Sequence, residues 1–211
     1  MLEYTDYIKI FIALLAVVDP LGSVPMITAL TCNNSESDIK IIARTVVLAV
    51  TVILLSALFF GEKLLIFFGI SINSFQVSGG ILLMLMAISM LQAEISATVQ
   101  TQEEAREGEG KKAIALVPIA MPLLAGPGAI STIILYAPSG QGIKHYLFMS
   151  LDIFAVTGIL WIVMTGIPWL SKNLSKTSIN IFTRLMGLIL SALAVEFIAS
   201  GLKGLFPILA E

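Results

Sequence analysis

Long apolar runs separated by short polar segments dominate this chain. An α-helix rises about 1.5 Å per residue, so roughly 20 apolar residues cross a hydrocarbon layer of about 30 Å. Six runs are long enough by this measure, and the pattern therefore predicts six membrane-spanning helices. The predicted spans are residues 7–30, 41–60, 75–91, 113–136, 146–169 and 182–206.

Composition supports a membrane protein and excludes several other classes. Of the 211 residues, 57% are hydrophobic and 12% are charged, whereas an ordinary soluble domain has about 25% charged residues. A soluble chain of this size has too little interior for so many apolar side chains. A single Cys and a net charge of −2 argue against a disulfide scaffold and a nucleic-acid binder. The composition therefore favours an all-α, multi-pass membrane protein.

Basic residues are divided unevenly between the two sides of a six-span topology. Four lie at the termini and in the loops 2–3 and 4–5, and eight lie in the loops 1–2, 3–4 and 5–6. Because cytoplasmic loops carry the excess of Lys and Arg, we expect those three loops in the cytoplasm and both termini outside the cell inner membrane. The eight residues are Lys40, Arg44, Arg106, Lys111, Lys112, Lys172, Lys176 and Arg184.

The chain repeats itself at an offset of 107 residues. Ser71-Ile72-Asn73-Ser74-Phe75 matches Ser178-Ile179-Asn180-Ile181-Phe182 at four of five positions, and Gly80 pairs with Gly187 at the same offset. Since each unit has three spans, the second enters the membrane from the opposite side. Such a 3+3 inverted-topology repeat is typical of secondary transporters, and a duplicated channel or scaffold is the alternative. The units are residues 1–92 and 113–211, joined by a polar cytoplasmic linker, 93–112.

Spans 1 and 4 each contain a proline near the middle, and the offset of 107 pairs these two prolines. Span 1 contains Asp19-Pro20-Leu21-Gly22-Ser23, and span 4 contains Gly126-Pro127-Gly128-Ala129-Ile130-Ser131. Pro removes a backbone donor and clashes with the preceding turn, and Gly adds backbone freedom. Both spans should therefore break near the midplane, although a simple kink is the alternative. Because Pro suits a first helical turn and Asp an N-cap, new half-helices should start at Asp19-Pro20 and at Gly126-Pro127.

The two breaks predict a substrate site. In an inverted repeat the two half-helix N-termini point toward each other, and their free N–H groups suit an anion such as a carboxylate. The predicted substrate-binding residues are Asp19, Pro20, Leu21, Gly22, Ser23, Gly126, Pro127, Gly128, Ala129 and Ser131.

Few ionisable residues lie inside the spans, and such residues are functional candidates by default. Asp19 and Glu196 each lie roughly 18 Å into their spans, and we take both as candidate coupling or proton-binding residues. Glu196 should face the bundle, and a purely structural role is the alternative for either residue. Asp152, about two turns into span 5, is expected in the headgroup zone. The single His, His145, is expected at the membrane interface and is a poor metal site by itself.

Three segments resemble signature segments of the MarC family, also called the neutral amino acid transporter family of bacterial and archaeal inner-membrane proteins. The resemblance covers essentially the whole chain and implies a six-span protein that transports or exports small neutral amino acids such as alanine, glycine, serine and threonine. The family often has Asn where this chain has Ser23, and its acidic group near Ser89 is here at Glu196. The segments are residues 19–25, 122–132 and 79–83.

These features together predict a secondary transporter, either an exporter or an exchanger, that moves alanine, glycine and similar amino acids by alternating access. A passive channel or facilitator for another small polar solute is the alternative, since broken helices can also line a constriction. We expect no enzyme, cofactor, metal site or nucleic-acid partner, because the spans contain neither a metal-ligand set nor a nucleophile–His pair. The expected partners are the lipid bilayer and the amino acid, and homo-oligomerisation is left open.

Overall fold

The computed structural model is helical, without strands, over the residues it describes, which are 4–24, 27–28, 36–92, 124–140, 142–173, 175–206 and 208. The predicted linker 93–112 and the first part of span 4, 113–123, lie outside these residues. The helices are α1 (Tyr4–Val18), α2 (Glu36–Phe67), α3 (Ile72–Gln92), α4 (Pro127–Tyr136), α5 (Ile143–Thr165), α6 (Ile167–Asn173) and α7 (Lys176–Leu205), and a 3-10 turn, Ala137–Ser139, follows α4.

Four of the described helices are long and apolar enough to cross a membrane. Only 22–39% of their apolar windows is buried inside the protein, and large apolar side chains such as Leu48, Leu151 and Leu188 are exposed. Outward-facing apolar surface on every long helix is what a bundle surrounded by lipid requires. The chain is therefore a multi-pass integral membrane protein. The four stretches are Ser37–Phe67, Ile72–Gln92, Ile143–Thr165 and Thr177–Leu205.

Helices α2, α3 and α7 contain three of the predicted spans, 41–60, 75–91 and 182–206. The one difference is the last residue of the third span, because α7 ends at Leu205. These helices begin earlier than the apolar runs, and for two of them a polar cap explains the extension. Ser71 accepts the N–H of Ser74 before α3, and Ser175 accepts the N–H of Ser178 at the start of α7, both at 3.1 Å. A capped first turn needs no apolar residues, because the side-chain oxygen satisfies a free backbone donor.

The prediction of one continuous span over residues 146–169 is wrong. Helix α5 ends at Thr165, the chain turns at Gly166, and α6 begins at Ile167. Pro168 explains the interruption, because its ring clashes with the carbonyl of the preceding turn and it has no N–H to donate. The Gly166 N–H donates to the Ile162 carbonyl at 2.9 Å, so this backbone group stays paired at the turn.

The short helix α4 lies in the core of the bundle. Seven of its ten residues are buried, and it packs against α1, α2 and α3. A helix that is buried on nearly all sides belongs to the interior. One face of α1 is equally buried, with Leu14 and Ala16 fully enclosed. The broken regions of the two spans thus lie inside, whereas one face of α1 and the long apolar helices form the outer surface.

Helices α3 and α7 cross in an antiparallel pair whose contacts repeat at the offset of 107. A Cβ added at Gly80 would lie 2.7 Å from Ile198 Cγ1 and 2.9 Å from the Ala194 carbonyl oxygen. A Cβ added at Gly187 would lie 3.3 Å from Leu91 Cγ and 3.2 Å from the carbonyl oxygen of Ala87, the partner of Ala194 at this offset. The crossing is therefore unchanged when α3 and α7 are exchanged, as expected for the central pair of an inverted repeat. The full six-helix repeat stays a prediction.

Candidate substrate site at the two helix breaks

The first break is centred on Asp19. Helix α1 ends at Val18, and Asp19 adopts the left-handed conformation with φ of 40°. Its N–H donates to the Leu15 carbonyl at 3.0 Å and completes α1. Its Oδ1 accepts the N–H of Gly22 at 3.0 Å, and its carbonyl accepts the N–H of Ser23 at 3.1 Å. Asp19 thus ends α1 and caps the turn formed by residues 20–23. The chain becomes helical again at Val24, so the half-helix begins four residues later than the sequence predicts.

The second break is centred on Gly126. This residue is extended, with φ of −67° and ψ of 177°, and Pro127 is the first residue of α4. No side chain caps this N-terminus. Because the first N–H groups of an α-helix have no acceptor within the helix, those of Gly128 and Ala129 lack one inside α4. The predicted start of a half-helix at Gly126-Pro127 is confirmed, and the chain before residue 124 lies outside the described residues.

The structure brings the second break close to the first. A Cβ added at Gly128 would lie 3.1 Å from Val17 Cγ1, two residues before Asp19, and 2.7 Å from Met86 Sδ. The start of α4 therefore packs against the last turn of α1, and only a glycine fits this contact without displacing a side chain. This packing brings the two breaks into one region in the protein interior.

Thr183 of α7 belongs to this region, although sequence reasoning did not select it. A Cβ added at Gly22 would contact Asp19 Oδ2 and would lie 2.8 Å from Thr183 Oγ1. The Asp19 carboxylate and the Thr183 hydroxyl therefore flank Gly22 from two different helices. The sequence signal was a single Thr within an apolar span, which is too common to identify a site.

The hydroxyl groups of the region are used in different ways. Ser23 is buried and donates to the Pro20 carbonyl at 2.8 Å, and Thr132 donates to the Gly128 carbonyl at 2.9 Å. Ser131 is 3% exposed and packs against Gly79, and its hydroxyl bonds to no other described residue. Ser131 is therefore better placed than Ser23 to hydrogen-bond a ligand.

The remaining predicted site residues differ in exposure. Ala129, Gly126 and Pro20 are buried, Leu21 is half-buried, and Pro127 is exposed. The side chain of Glu196, which was expected to face the bundle, is exposed on α7. Successive helical residues are rotated by about 100°, and the packed face of α7 carries Gly187, Leu190 and Ala194. Glu196 falls outside that face, and its predicted coupling role remains a prediction.

His145, the third residue of α5, is buried inside the protein. Its predicted position at the membrane interface stays a prediction. His145 is 2% exposed, and its Nε2 lies 3.2 Å from the Tyr136 carbonyl oxygen and 3.0 Å from that of Ala137. Since both carbonyls only accept, the neutral ring carries its proton on Nε2. Its Nδ1 then accepts the O–H of Tyr7 at 3.0 Å. His145 thus joins α1, α5 and the end of α4.

Comparison with known proteins gives a consistent result along the whole chain. The family model described as MarC family integral membrane protein matches residues 4–206. A UPF0056 membrane protein of Buchnera aphidicola is 41% identical over 205 residues, which covers 97% of this chain and 95% of that protein.

Two further relatives have comparable coverage. The UPF0056 membrane protein YhcE of Escherichia coli is 38% identical over 207 residues, covering 97% of this chain and 95% of the relative. The UPF0056 membrane protein YvbG of Bacillus subtilis is 36% identical over 210 residues, covering 99% of each. No solved structure matches the chain.

Proposed function

Because the chain belongs to the MarC family of integral membrane proteins, we propose that it is a secondary transporter of small neutral amino acids such as alanine and glycine. It works as an exporter or exchanger by alternating access across the inner membrane. Both termini lie outside, and the loops with the excess of Lys and Arg lie in the cytoplasm.

The observation that carries this proposal is the meeting of the two helix breaks. They lie at Asp19 and Gly126, which are 107 residues apart, and the contact between Gly128 and Val17 brings them together. Free N–H groups and the positive end of the helix dipole attract a carboxylate. The uncapped N-terminus of α4, with the N–H groups of Gly128 and Ala129, therefore suits the carboxylate of an amino acid.

The ammonium group of an amino acid needs an acceptor beside this carboxylate site. Asp19 uses Oδ1 to cap the following turn, and its Oδ2 lies next to Gly22 and Thr183. Oδ2 and the Thr183 hydroxyl can therefore accept hydrogen bonds from an ammonium group. A Cβ at Gly22 or Gly128 would collide with neighbouring atoms, and such close packing favours a substrate with a short side chain.

The packing of the half-helices supports alternating access over a static scaffold. Gly128 lies against Leu83 and Met86 of α3, whose partners at the offset of 107 are Leu190 and Leu193 of α7. Leu21 is the equivalent of Gly128 at this offset, and the next residue, Gly22, contacts α7 at Thr183. Thr183 is seven residues before Leu190, or roughly 10 Å along the helix.

This difference has a mechanical meaning. The crossing of α3 and α7 is the same from either side, whereas the half-helices sit about two turns apart on them. If the two half-helices exchanged these positions along α3 and α7, the protein would adopt a second arrangement in which the site is open at the opposite end. This is the change expected when inverted repeats rock around a fixed site.

Exchange in proteoliposomes tests the function. Purified protein is reconstituted with unlabelled alanine or glycine inside, and uptake of the labelled amino acid is measured with and without the internal substrate. We expect internal substrate to accelerate uptake at least severalfold and Asp19→Asn to abolish the acceleration. Glu62→Gln, which alters an exposed carboxylate of α2, is the matched control and should exchange normally.

The other outcomes are equally informative. If internal substrate does not accelerate uptake, the passive facilitator is favoured. Only the binding site of a carrier returns to the outside faster when it is occupied by internal substrate. Absence of uptake of both amino acids by folded protein would refute the proposed substrates. Normal exchange by Asp19→Asn would remove Asp19 from the site.

A further inference from the structure

Asp152 of α5 is half-buried, and one of its carboxyl oxygens has no hydrogen-bond partner among the described residues. Asp152 is the tenth of the 23 residues of α5, so it lies about 14 Å from the start of the helix. Its Oδ2 is buried and has no hydrogen-bond partner among the described residues. The sequence placed Asp152 in the headgroup zone, but α5 begins at Ile143, three residues before the predicted span. The carboxyl group is therefore close to the middle of an apolar span.

The surroundings of Asp152 contain few polar groups. Met149 and Ile153, beside it on α5, are fully buried. From α1, Tyr7 lies close enough to interact electrostatically with the carboxylate, and Tyr7 hydrogen-bonds His145, two turns earlier on α5. On α1, Asp6 acts on the same Tyr7 hydroxyl and pairs with the exposed Lys9. On α5, Lys144 is exposed at the start of the helix.

The other helices packed against α5 supply no counter-charge at this level. Helix α2 contacts α5, and it has no titratable residue between Arg44 and Glu62, which are both exposed. Helix α6 follows α5 at its far end, beyond Thr165. Within the described part of the chain, no cation therefore pairs with Asp152.

A bound cation relieves the cost of such a group. Burying an ionised carboxylate with an unpaired oxygen inside a membrane is expensive. Hard metal cations take about six or more oxygen ligands, and Tyr7 is the described titratable group that interacts with Asp152. A proton needs one oxygen only, and the geometry at Asp152 therefore favours a proton over a metal ion.

Asp152 lies on a seam that leads to the substrate site. Helices α1 and α5 meet at Tyr7 and His145 at one end, and Val24, beyond the first break, packs with Val163 of α5 at the other. Counted along the helix axes from the Tyr7–His145 contact, the positions of Asp152 and Asp19 differ by roughly 8 Å, from the helical rise per residue. A change at either group can therefore reach the other through packed helices.

We propose that Asp152 binds and releases one proton in each transport cycle and so couples amino-acid transport to a proton gradient. The proposal rests on the transport function above. A proton from water at the Tyr7–His145 end forms an O–H bond with the carboxylate. The same bond breaks when the proton leaves to water on the other side in the second arrangement of the half-helices.

Proteoliposomes separate coupling from exchange. We expect wild-type protein to accumulate labelled alanine at least fivefold when a pH gradient is imposed, and not when a Na⁺ gradient is imposed. Asp152→Asn should keep alanine exchange but lose the accumulation, whereas Glu62→Gln should keep both. Exchange without pH-driven accumulation in wild type, or accumulation by Asp152→Asn, would overturn the proposal and leave the transport function standing. Accumulation driven by Na⁺ alone would overturn the proton assignment. Loss of wild-type exchange would instead refute the proposed function.

A second measurement uses the unaltered protein, in case Asp152→Asn fails to fold. A hydrophobic carbodiimide reacts with protonated carboxyl groups inside membranes, and mass spectrometry locates the product. We expect labelling at Asp152 that decreases severalfold as the pH is raised, and none at the exposed Glu62. Absence of labelling at Asp152 over the whole pH range would contradict proton binding at this carboxyl group.

Discussion

Substitutions at Asp19 separate its structural role from its role in transport. The residue has φ of 40° and caps the following turn through a 3.0 Å bond from the Gly22 N–H. Asn is among the few residues that tolerate this backbone region and is as good an N-cap as Asp. Asp19→Asn should therefore change the free energy of unfolding by less than about 0.5 kcal/mol while it removes the charge.

Asp19→Ala removes both structural contributions. Loss of an N-cap side chain costs about 1 kcal/mol, and placing a Cβ residue in the left-handed region without a compensating polar side chain costs about 1 kcal/mol more. Asp19→Ala should thus lower the free energy of unfolding by about 2 kcal/mol relative to wild type. Both variants should lose amino-acid exchange, because both lack the carboxylate.

The assay pairs unfolding with transport on the same preparations. The purified protein is unfolded in mild detergent micelles by increasing fractions of a denaturing detergent, and helix content is followed by circular dichroism. An equal loss of stability in both variants, or an unaltered Asp19→Ala, would refute the capping and backbone argument. Full exchange by Asp19→Asn, at wild-type stability, would refute the need for a charge at the break.

Three further predictions concern helix packing, the second arrangement and the last helix. Gly80→Ala should lower the free energy of unfolding by about 1–3 kcal/mol, because its Cβ would meet the side chain and backbone of α7. Gly158→Ala is the control, since its Cβ would meet nothing within 4 Å, and it should be neutral or slightly stabilising in the same detergent titration. In a variant that carries Cys32→Ser, Leu21→Cys and Leu193→Cys, the two new cysteines should form a disulfide only while substrate is present on one side of the membrane. A complete lack of cross-linking on gels would argue against exchange of the half-helix positions. Glu196→Gln should keep alanine exchange and pH-driven accumulation, since the side chain is exposed, and a loss of either activity would instead support the coupling role that the sequence predicts.

The features that the sequence predicted correctly depend on local stereochemistry. Proline and glycine restrict or free the backbone wherever they occur, so the breaks at Asp19-Pro20 and Gly126-Pro127 could be located without any tertiary contact. Apolar runs longer than the bilayer core likewise predict long helices. The pairing of Gly80 with Gly187 at the offset of 107 pointed to equivalent positions in two helices, and the structure places both at the same crossing.

The tertiary structure alone decided which polar groups meet. A helical residue rotates by about 100° per step, so the orientation of a side chain depends on which face its helix packs, and apolar residues cover all faces in a membrane span. The packed face of α7 therefore left Glu196 outside and brought Thr183 to Asp19. The same effect buried His145 between three elements and enclosed one oxygen of Asp152 without a partner. The positions of the breaks follow from the chain itself, whereas the chemistry around them follows from how the helices pack.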